Sequence, residues 1–504
     1  VTDHVEIEDK YDVDSDFTLP DLTGLPGVHA VGEPRTHVLV ANYFDTDDLR
    51  LAARGITLRR RRGGVDAGWH LKIPAGPSTR NELRAPLGHA RVVPARLANL
   101  VAAHTRGRPL RPVAALETNR TVIHLLGADG EALAEVADDT VIGHVLEPCA
   151  RYGDPAVSTW REIEVELAGG PPALLKPAGK RLRKAGARRA GAASKLGRLL
   201  GDAMPVRSRP AGGSSAGDAV AAYLAAQVDT LLSHDSKARL AEYDAVHRMR
   251  VAVRRIRSTL KGYRAVLDRE RTGDLQAELK WLADELGTVR DLEVLRERFT
   301  GLLDELPAGP AAHRGWLDAL VQQEHTAYGR LNTILTEPRY FALLDALDEL
   351  VEGPPRTDRA ARPAVEELPR LVRRAWRRLE RAYDAIETAP AEERDTARHD
   401  TRKVAKRTRY TAEAATATLG APAAVIAEQA KSLQDVLGRF QDGLIAQERL
   451  AGIAAAAVDP REAFTLGILY ELERREAQAA LGDVAATWAA ADRKARKARK
   501  ALKG

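Results

Sequence analysis

The chain has a single cysteine, Cys149, in 504 residues. That excludes an internal disulfide and any Cys-rich zinc site. Aromatic residues make up only 5%. No run approaches the roughly 18 apolar residues that a membrane span requires. The first residues are acidic and polar, without a basic stretch leading into an apolar one, so the expected compartment is the cytosol. No stretch fits a Walker loop or a zinc motif. Alanine, arginine and leucine are abundant, which favours long helices. Hydrophobic residues are 44% and charged residues 29%, a balance that excludes disorder over most of the chain. The length exceeds what one ordinary core fills, so more than one domain is expected. A net charge of +6 points to a polyanionic partner.

Two textures divide the chain. Residues 1 to about 200 alternate at period two between glycine- and proline-rich turns, as half-buried antiparallel strands do. Short helical stretches interrupt them near 47–53, 92–104 and 192–201. Residues 207–217 have the composition of a linker. From Asp218 onward the period is 3.6, with breaks near Pro307–Pro310, Gly353–Pro355 and Gly420–Pro422, as expected of helical bundles. This half also repeats itself. His247, Arg250, Arg254 and Arg257, followed by Gly287 and Asp291, are matched 151 or 152 residues later by His399, Arg402, Lys406 and Arg409, followed by Gly438 and Asp442. So long a period suggests duplication of a bundle rather than a solenoid.

In the strand half, parity sorts charge from aliphatics. Glu6, Glu8 and Lys10 share one face of a strand, while Val5 and Ile7 share the other. Arg59 and Arg61 oppose Ile56 and Leu58; Arg60 and Arg62 have the wrong parity and should face outward. His70 and Lys72 oppose Trp69, Leu71 and Ile73, and Glu162, Glu164 and Glu166 alternate with Ile163, Val165 and Leu167. Arg120, Glu135 and Asp139 lie in further strand-like runs. A sheet with one solvated face would look like this, and so would a barrel with a charged lumen under covering helices. The barrel has a chemical use: Arg and Lys bind phosphate oxygens, and grouped carboxylates bind a hard divalent cation.

His4-Val5-Glu6-Ile7-Glu8-Asp9-Lys10, Tyr43 to Thr46 with Leu49 to Leu51, Leu58 to Arg61, Trp69 to Lys72, and Trp160 to Leu167 together resemble a CYTH domain of the triphosphate tunnel metalloenzymes, over residues 1–204. The resemblance implies an eight-stranded antiparallel β tunnel with flanking helices. It also implies hydrolysis of a triphosphate (inorganic, nucleoside or thiamine) dependent on Mg²⁺ or Mn²⁺; a few relatives are adenylate cyclases. Carried over by position, it makes Glu6, Glu8, Glu162 and Glu164 the catalytic carboxylates. These four, with Glu166 and Asp139, become candidate metal ligands. Lys10, Arg59, Arg61, Lys72, Arg120 and Lys195 become phosphate ligands. Lys195 belongs to a Ser194-Lys195 pair that opens a closing helix. No base-recognition feature is readable, which argues against a nucleotide-specific cyclase.

In the helical half, His247, Arg250, Arg254, Arg257 and Lys261 form one helical stripe. His399, Arg402, Lys406 and Arg409 form a second, ending at Glu413, and Arg370, Arg373, Arg374, Arg377, Arg378 and Arg381 a third. Like charges three and four apart repel, and no acids at i±4 offset the repulsion along several stripes, so an anionic ligand is expected. The run from Val246 to Arg257, with Leu286 to Val294 and Leu433 to Gly438, resembles a CHAD domain over residues 218–504. That resemblance implies an all-α domain of two pseudo-symmetric bundles that binds inorganic polyphosphate, and association with polyphosphate granules. The stripe residues, with Arg373 and Arg377, are then the expected polyphosphate ligands. Scarce aromatics near the stripes argue against nucleic acid.

Nine basic residues and no acid fall between Lys176 and Arg198, and seven basic residues between Arg493 and Lys503. The first run reads partly as a tunnel element and partly as a flexible anion-attracting loop, the second as a frayed helix or an anion-binding tail. The whole is thus expected to be an α+β multidomain protein, with residues 205–217 as linker, that hydrolyses short phosphate chains and binds long ones. Two further readings are a non-catalytic polyphosphate-binding adaptor and an RNA-associated protein. The oligomeric state is not readable.

Overall fold

The strand half closes on itself because its first strand is long enough to pair twice. In the computed structural model, β1 (Asp3–Val13) pairs through residues 3–7 with β6 (Thr79–Ala85) and through residues 8–13 with β9 (Ser158–Leu167). Between them run β3 (Arg35–Asp45), β4 (Thr57–Arg62), β5 (Gly68–Pro74), β7 (Arg111–Leu126) and β8 (Ala132–Val145). The resulting ring, β1-β6-β5-β4-β3-β7-β8-β9 and back to β1, is an eight-stranded antiparallel barrel. Two short strands join its rim, β2 (Ala30–Val31) on β7 and β10 (Arg188–Arg189) on β1. The structure describes residues 3–76, 79–146, 157–205, 213–306 and 314–502, without the side chains of residues 3–5. Cys149, linker residues 206–212 and the break at Pro307–Pro310 lie outside the described residues.

Contacts divide the chain into two units, Val1–Arg207 and Ser208–Gly504. In the first, side chains of odd parity on β1 and β9 point out of the barrel. Tyr11, Val13, Ile163 and Val165 form an apolar layer with Leu175, Ala178 and Leu182 of α3 (Leu175–Lys184). The basic run after Lys176 is therefore mostly ordered: its apolar positions are spaced for one helix face, and its cations lie on the other. On the opposite wall Phe44 packs against Trp69, their ring centroids 4.8 Å apart. Helices α1 (Ala95–Leu100) and α2 (Ala102–Thr105) precede β7. At one end, α4 (Lys195–Leu200) lays Leu196, Leu199 and Leu200 against Ala41, Tyr43, Val141 and Trp160. Ser194 caps α4 by accepting the Gly197 N–H at 3.0 Å.

The second unit is all-helical: α5 (Ala216–Arg239), α6 (Ala245–Gly262), α7 (Gly273–Glu305), α8 (Gly315–Ile334), α9 (Pro338–Glu352), α10 (Ala364–Thr388), α11 (Arg394–Leu419), α12 (Ala421–Ala456) and α13 (Pro460–Ala501). Gly420 takes φ +63°, where a glycine costs nothing, and separates α11 from α12. The two repeat copies meet where α6 packs on α11: Arg254 donates to the Tyr410 hydroxyl at 2.8 Å, and the Tyr263 hydroxyl to the Thr411 carbonyl at 2.6 Å. The basic C-terminal run is the last part of α13, with Ala495 and Ala498 buried and Arg499 paired to Glu380 at 2.7 Å. It is docked helix up to Ala501. No helix among the described residues is long and apolar enough to cross a membrane.

Candidate active site and anion-binding clusters

The barrel register turns the parity pattern into cross-strand charge pairs. Glu6 stands opposite Arg80, Lys72 opposite Glu82, Lys10 opposite Glu164, and Arg120 opposite Asp139. Closure puts all of them inside one wall. Of the cations expected from sequence, Lys10, Arg59, Arg61, Lys72, Arg120 and Lys195 line a cavity of about 720 Å³, together with Glu6, Glu8 and Glu166. Glu135 lines it as well, 3.9 Å from Arg120. Arg60 faces outward, as its parity demands, and donates to the Leu87 carbonyl at 3.0 Å.

Two carboxylate groups within the barrel behave differently. Asp139, Glu162 and Glu164 are buried and lie close enough to share one cation. The point between them is held by the Lys195 ammonium, 2.8 Å from Asp139, 2.8 Å from Glu162 and 2.7 Å from Glu164. Arg120 clamps Asp139 with two bonds of 2.8 and 2.6 Å and reaches Glu164 at 2.5 Å. Lys10 also bonds Glu164, and the Trp160 indole donates to Glu162 at 2.6 Å. Burial opposes the charge on Glu164, but Lys10, Lys195 and Arg120 outweigh it and hold the carboxyl well below its usual range. Asp139 is lowered in the same way, against its own burial, by Lys195 and Arg120.

The second group faces the cavity. Glu6 accepts from Lys72 at 2.6 Å and Glu8 pairs with Lys10 at 2.9 Å, while Glu166 stands opposite Glu8 on the paired strand. Burial and the neighbouring Glu6 charge push Glu166 up to about 7. Burial raises Glu6 too, against the pull of Lys72. Burial opposes the charge on Glu8 most, but Lys10 and Lys72 together outweigh it and lower the carboxyl. On this side of the cavity three carboxyls thus face Lys10, Lys72 and Arg80. These carboxylates offer the oxygen donors a divalent cation takes, but among the described residues the group close enough to share one ion is Asp139, Glu162 and Glu164, where the Lys195 ammonium stands.

The sequence reading missed β6 and its inward face, Arg80, Glu82 and Arg84. Glu82 is the hub: it bonds His70 at 2.7 Å, lies 3.8 Å from Lys72 and pairs with Arg84. Its carboxyl is far below its usual range, as His70, Lys72 and Arg59 prevail over burial. Alternation of Arg80, Glu82 and Arg84 was the available signal. Asp66 pairs with Arg61, whose pKa is pushed down to about 10 by burial and by Arg59.

In the helical unit the two stripes converge where α6 crosses α11. Lys406 lies among Arg402, Arg254 and Arg250, and burial with these three charges pushes it down to about 7. Each copy supplies acids that the sequence reading did not assign. Asp291 on α7 pairs with Arg250 at 2.9 Å, and Asp442 on α12 with Arg402 at 3.3 Å. His247 and His399 are both lowered, first by burial and then by Arg290 at His247 and Lys403 at His399. Arg257 is half-buried, and Arg409 is tied to Glu413 at 2.6 Å. Arg373 does not join the cluster; it donates to the Leu502 carbonyl, and Arg377 is exposed on the same helix. Lys261 lines a different cavity, with Arg374 and Arg378.

The model of the CYTH domain matches residues 4–199 and that of the CHAD domain residues 222–451. The uncharacterized protein Rv2226 of Mycobacterium tuberculosis is 39% identical over 515 residues, 98% of each chain. Among solved structures, PptA from Streptomyces chartreusis is 24% identical, covering 55% of this chain and 99% of its own, with a TM-score of 0.46. The CHAD domain from the plant Ricinus communis is 22% identical, covering 60% of this chain and 96% of its own, with a TM-score of 0.40.

Proposed function

The chain belongs to the family that joins a CYTH domain to a CHAD domain, and from that premise we propose that it hydrolyses inorganic triphosphate or a similar short phosphate chain in the tunnel and binds long polyphosphate through its helical half. One observation carries the first part. Cations from β1, β4, β5, β6 and β7 converge with Glu6, Glu8 and Glu166 on one cavity, whose size is within the roughly 300–1,000 Å³ of small-molecule sites.

The chain's own residues divide the work. Lys10, Arg59, Arg61 and Lys72 take phosphate oxygens, Arg59 and Arg61 bidentately, while Arg120, held through Nε and Nη2 by Asp139 and Glu164, offers its Nη1. Doing so draws Lys10 and Lys72 from Glu8 and Glu6, which are left with uncompensated charge beside Glu166. These three would hold a divalent cation, Mg²⁺ or Mn²⁺, which would supply charge neutralisation at the phosphate being transferred. Glu162, Glu164 and Asp139 keep Lys195 and Arg120 fixed, so no reorganisation is needed as charge develops. Glu6 and Glu8 face the cavity and orient the attacking water. Positioning and charge supply most of what phosphoryl transfer needs.

The test is phosphate release by the full chain from triphosphate, ATP, thiamine triphosphate and long-chain polyphosphate, with Mg²⁺ and then Mn²⁺. The Glu6→Gln/Glu8→Gln variant is the control. Release that requires both cation and carboxylates supports the enzyme. No release from any substrate, by a chain that still binds polyphosphate, moves the reading to a binding-only adaptor on polyphosphate granules. The cluster of Arg250, Arg254, Arg402 and Lys406 supports polyphosphate as the second ligand, since four cations share two carboxylates there.

A further inference from the structure

The helical unit has a second basic site on another face of α11. Lys406 turns toward Arg402 and Arg254. Arg407, next in sequence and about 100° further around the helix, turns with Val404 and Thr408 into a cavity of about 640 Å³. Lys261, Arg264, Arg269, Arg374, Arg378 and Arg407 line it, from α6 and the segment after it, from α10 and from α11. No acid lines the cavity, and among the described residues none of the six cations pairs with a carboxylate.

The duplication does not require this arrangement. At the repeat offset of 152 residues, Lys261 corresponds to Glu413 and Arg407 to Arg255. At that corresponding place Glu413 accepts from Arg255 at 3.2 Å and from Arg409 at 2.6 Å, so it is neutralised. Helix α5 precedes α6 as α10 precedes α11, and it has no lysine or arginine before Lys237. Of the two places related by the duplication, each built from both copies, one is thus neutralised and the other gathers six cations without a counter-charge. The cost is visible in two of them. Lys261 is lowered by burial, then by Arg257 and Arg407; Arg378 by burial, then by Arg374, Arg264 and Arg407. Folding gains nothing from such crowding, and a bound polyanion relieves it. The cavity's apolar lining is aliphatic, with no ring on which a base could stack.

We propose that this cavity is a separate anchor for an inorganic phosphate chain, gripping a short run of phosphates away from the cluster of Arg250, Arg254, Arg402 and Lys406. The inference rests on the reading of the helical half as a phosphate-chain binder. Arginine forks supply paired donors to successive phosphates, and Lys261 adds a point charge.

Amine labelling of the full chain tests it locally. Lys261 and Lys406 are acetylated by a limiting reagent at constant ionic strength and quantified by mass spectrometry. The additions are tripolyphosphate, long-chain polyphosphate, sulfate, or an RNA oligonucleotide of equal phosphate content. The expected result is protection of Lys261 by the two phosphate chains, about tenfold at ten times the dissociation constant, and little protection by sulfate. In Arg374→Gln/Arg378→Gln/Arg407→Gln, protection of Lys261 should be lost and that of Lys406 kept. Protection of Lys406 without Lys261 in the native chain overturns this site and leaves the reading of the helical half intact. Protection of neither overturns both. RNA protecting Lys261 as well as the phosphate chains do overturns the assignment to a bare phosphate chain.

Discussion

The Arg402 guanidinium of α11 rests against Gly438 of α12, its Nη2 3.2 Å from where a Cβ at that glycine would stand. Arg250 rests on Gly287 in the same way, at 3.5 Å. The aspartates that pair with these arginines, Asp442 and Asp291, lie four residues after the glycines and so on the same helix face. The repeated glycine and aspartate are therefore a socket for an arginine. Alanine at either glycine should favour the helix by about 1 kcal/mol. At Gly287 the methyl makes ordinary contact, so Gly287→Ala should raise the melting temperature and leave polyphosphate affinity unchanged. At Gly438 it displaces Arg402, so Gly438→Ala should weaken polyphosphate binding. Thermal denaturation and a binding titration on the same samples check both outcomes.

Lys195→Ala should destabilise the barrel by about 3–5 kcal/mol, the range for removing one partner of a buried charge pair. Three buried carboxylates lose their shared ammonium. In the native chain Asp139 and Glu164 titrate below the usual range. Their contribution to stability is present above the ordinary carboxylate pKa and lost as pH falls through the depressed values. The variant's deficit should therefore be greatest near neutral pH and shrink in acid. Mn²⁺ should raise the variant's melting temperature more than the native chain's, by entering the vacated triad. Urea titrations at two pH values and melts with and without the cation measure this.

Polyphosphate affinity should rise as pH falls from 8 to 6.5. Lys406, pushed down to about 7 by burial and by Arg402, Arg254 and Arg250, gains its proton in that window; Asp442 is the acid that opposes the shift. His247 and His399 are lowered below the ordinary histidine value, so they titrate further into acid. Lys406→Arg should flatten the profile, because a guanidinium stays charged throughout. Binding titrations across the window at fixed salt decide it. An unchanged slope in the variant would assign the effect elsewhere.

Asp45→Ala should cost about 3 kcal/mol or more, because buried N–H groups would be left without acceptors. The Asp45 carboxylate takes the backbone N–H groups of Thr46 at 2.7 Å, Leu51 at 2.9 Å and Ala52 at 2.8 Å. Burial nonetheless lifts its pKa to about 6. A raised folded-state value means that stability falls as pH rises through 6. Asp45→Asn keeps an acceptor and removes the buried charge. It should be milder than alanine and lose that pH dependence, as melting curves from pH 5 to 7.5 would record.

The inward faces of β1, β4, β5 and β9 were legible because strand parity is local. Glu6 must face the same way as Glu8 whatever the sheet does. The repeated histidine and arginine stripes were legible for the same reason, at period 3.6. Strand β6 was missed, since Arg80, Glu82 and Arg84 mix signs within a short segment that follows a Pro and Gly turn. The stripe on α6 reads as one surface in sequence. Packing against α11 divides it, sending Lys261 to one cavity and Arg254 to the central cluster.

The sequence by itself determined the two textures, the duplication, and which side chains share a face. These depend on spacing along a few residues. Partners were decided by the tertiary structure alone. Lys10 meets Glu164, and Lys195 meets Asp139 and Glu162, only because β1 bridges β6 and β9 and α4 seals one end. Whether a carboxylate holds a lysine or is left facing the cavity depends on charges brought together by that closure, far apart in sequence, and no local pattern contains them.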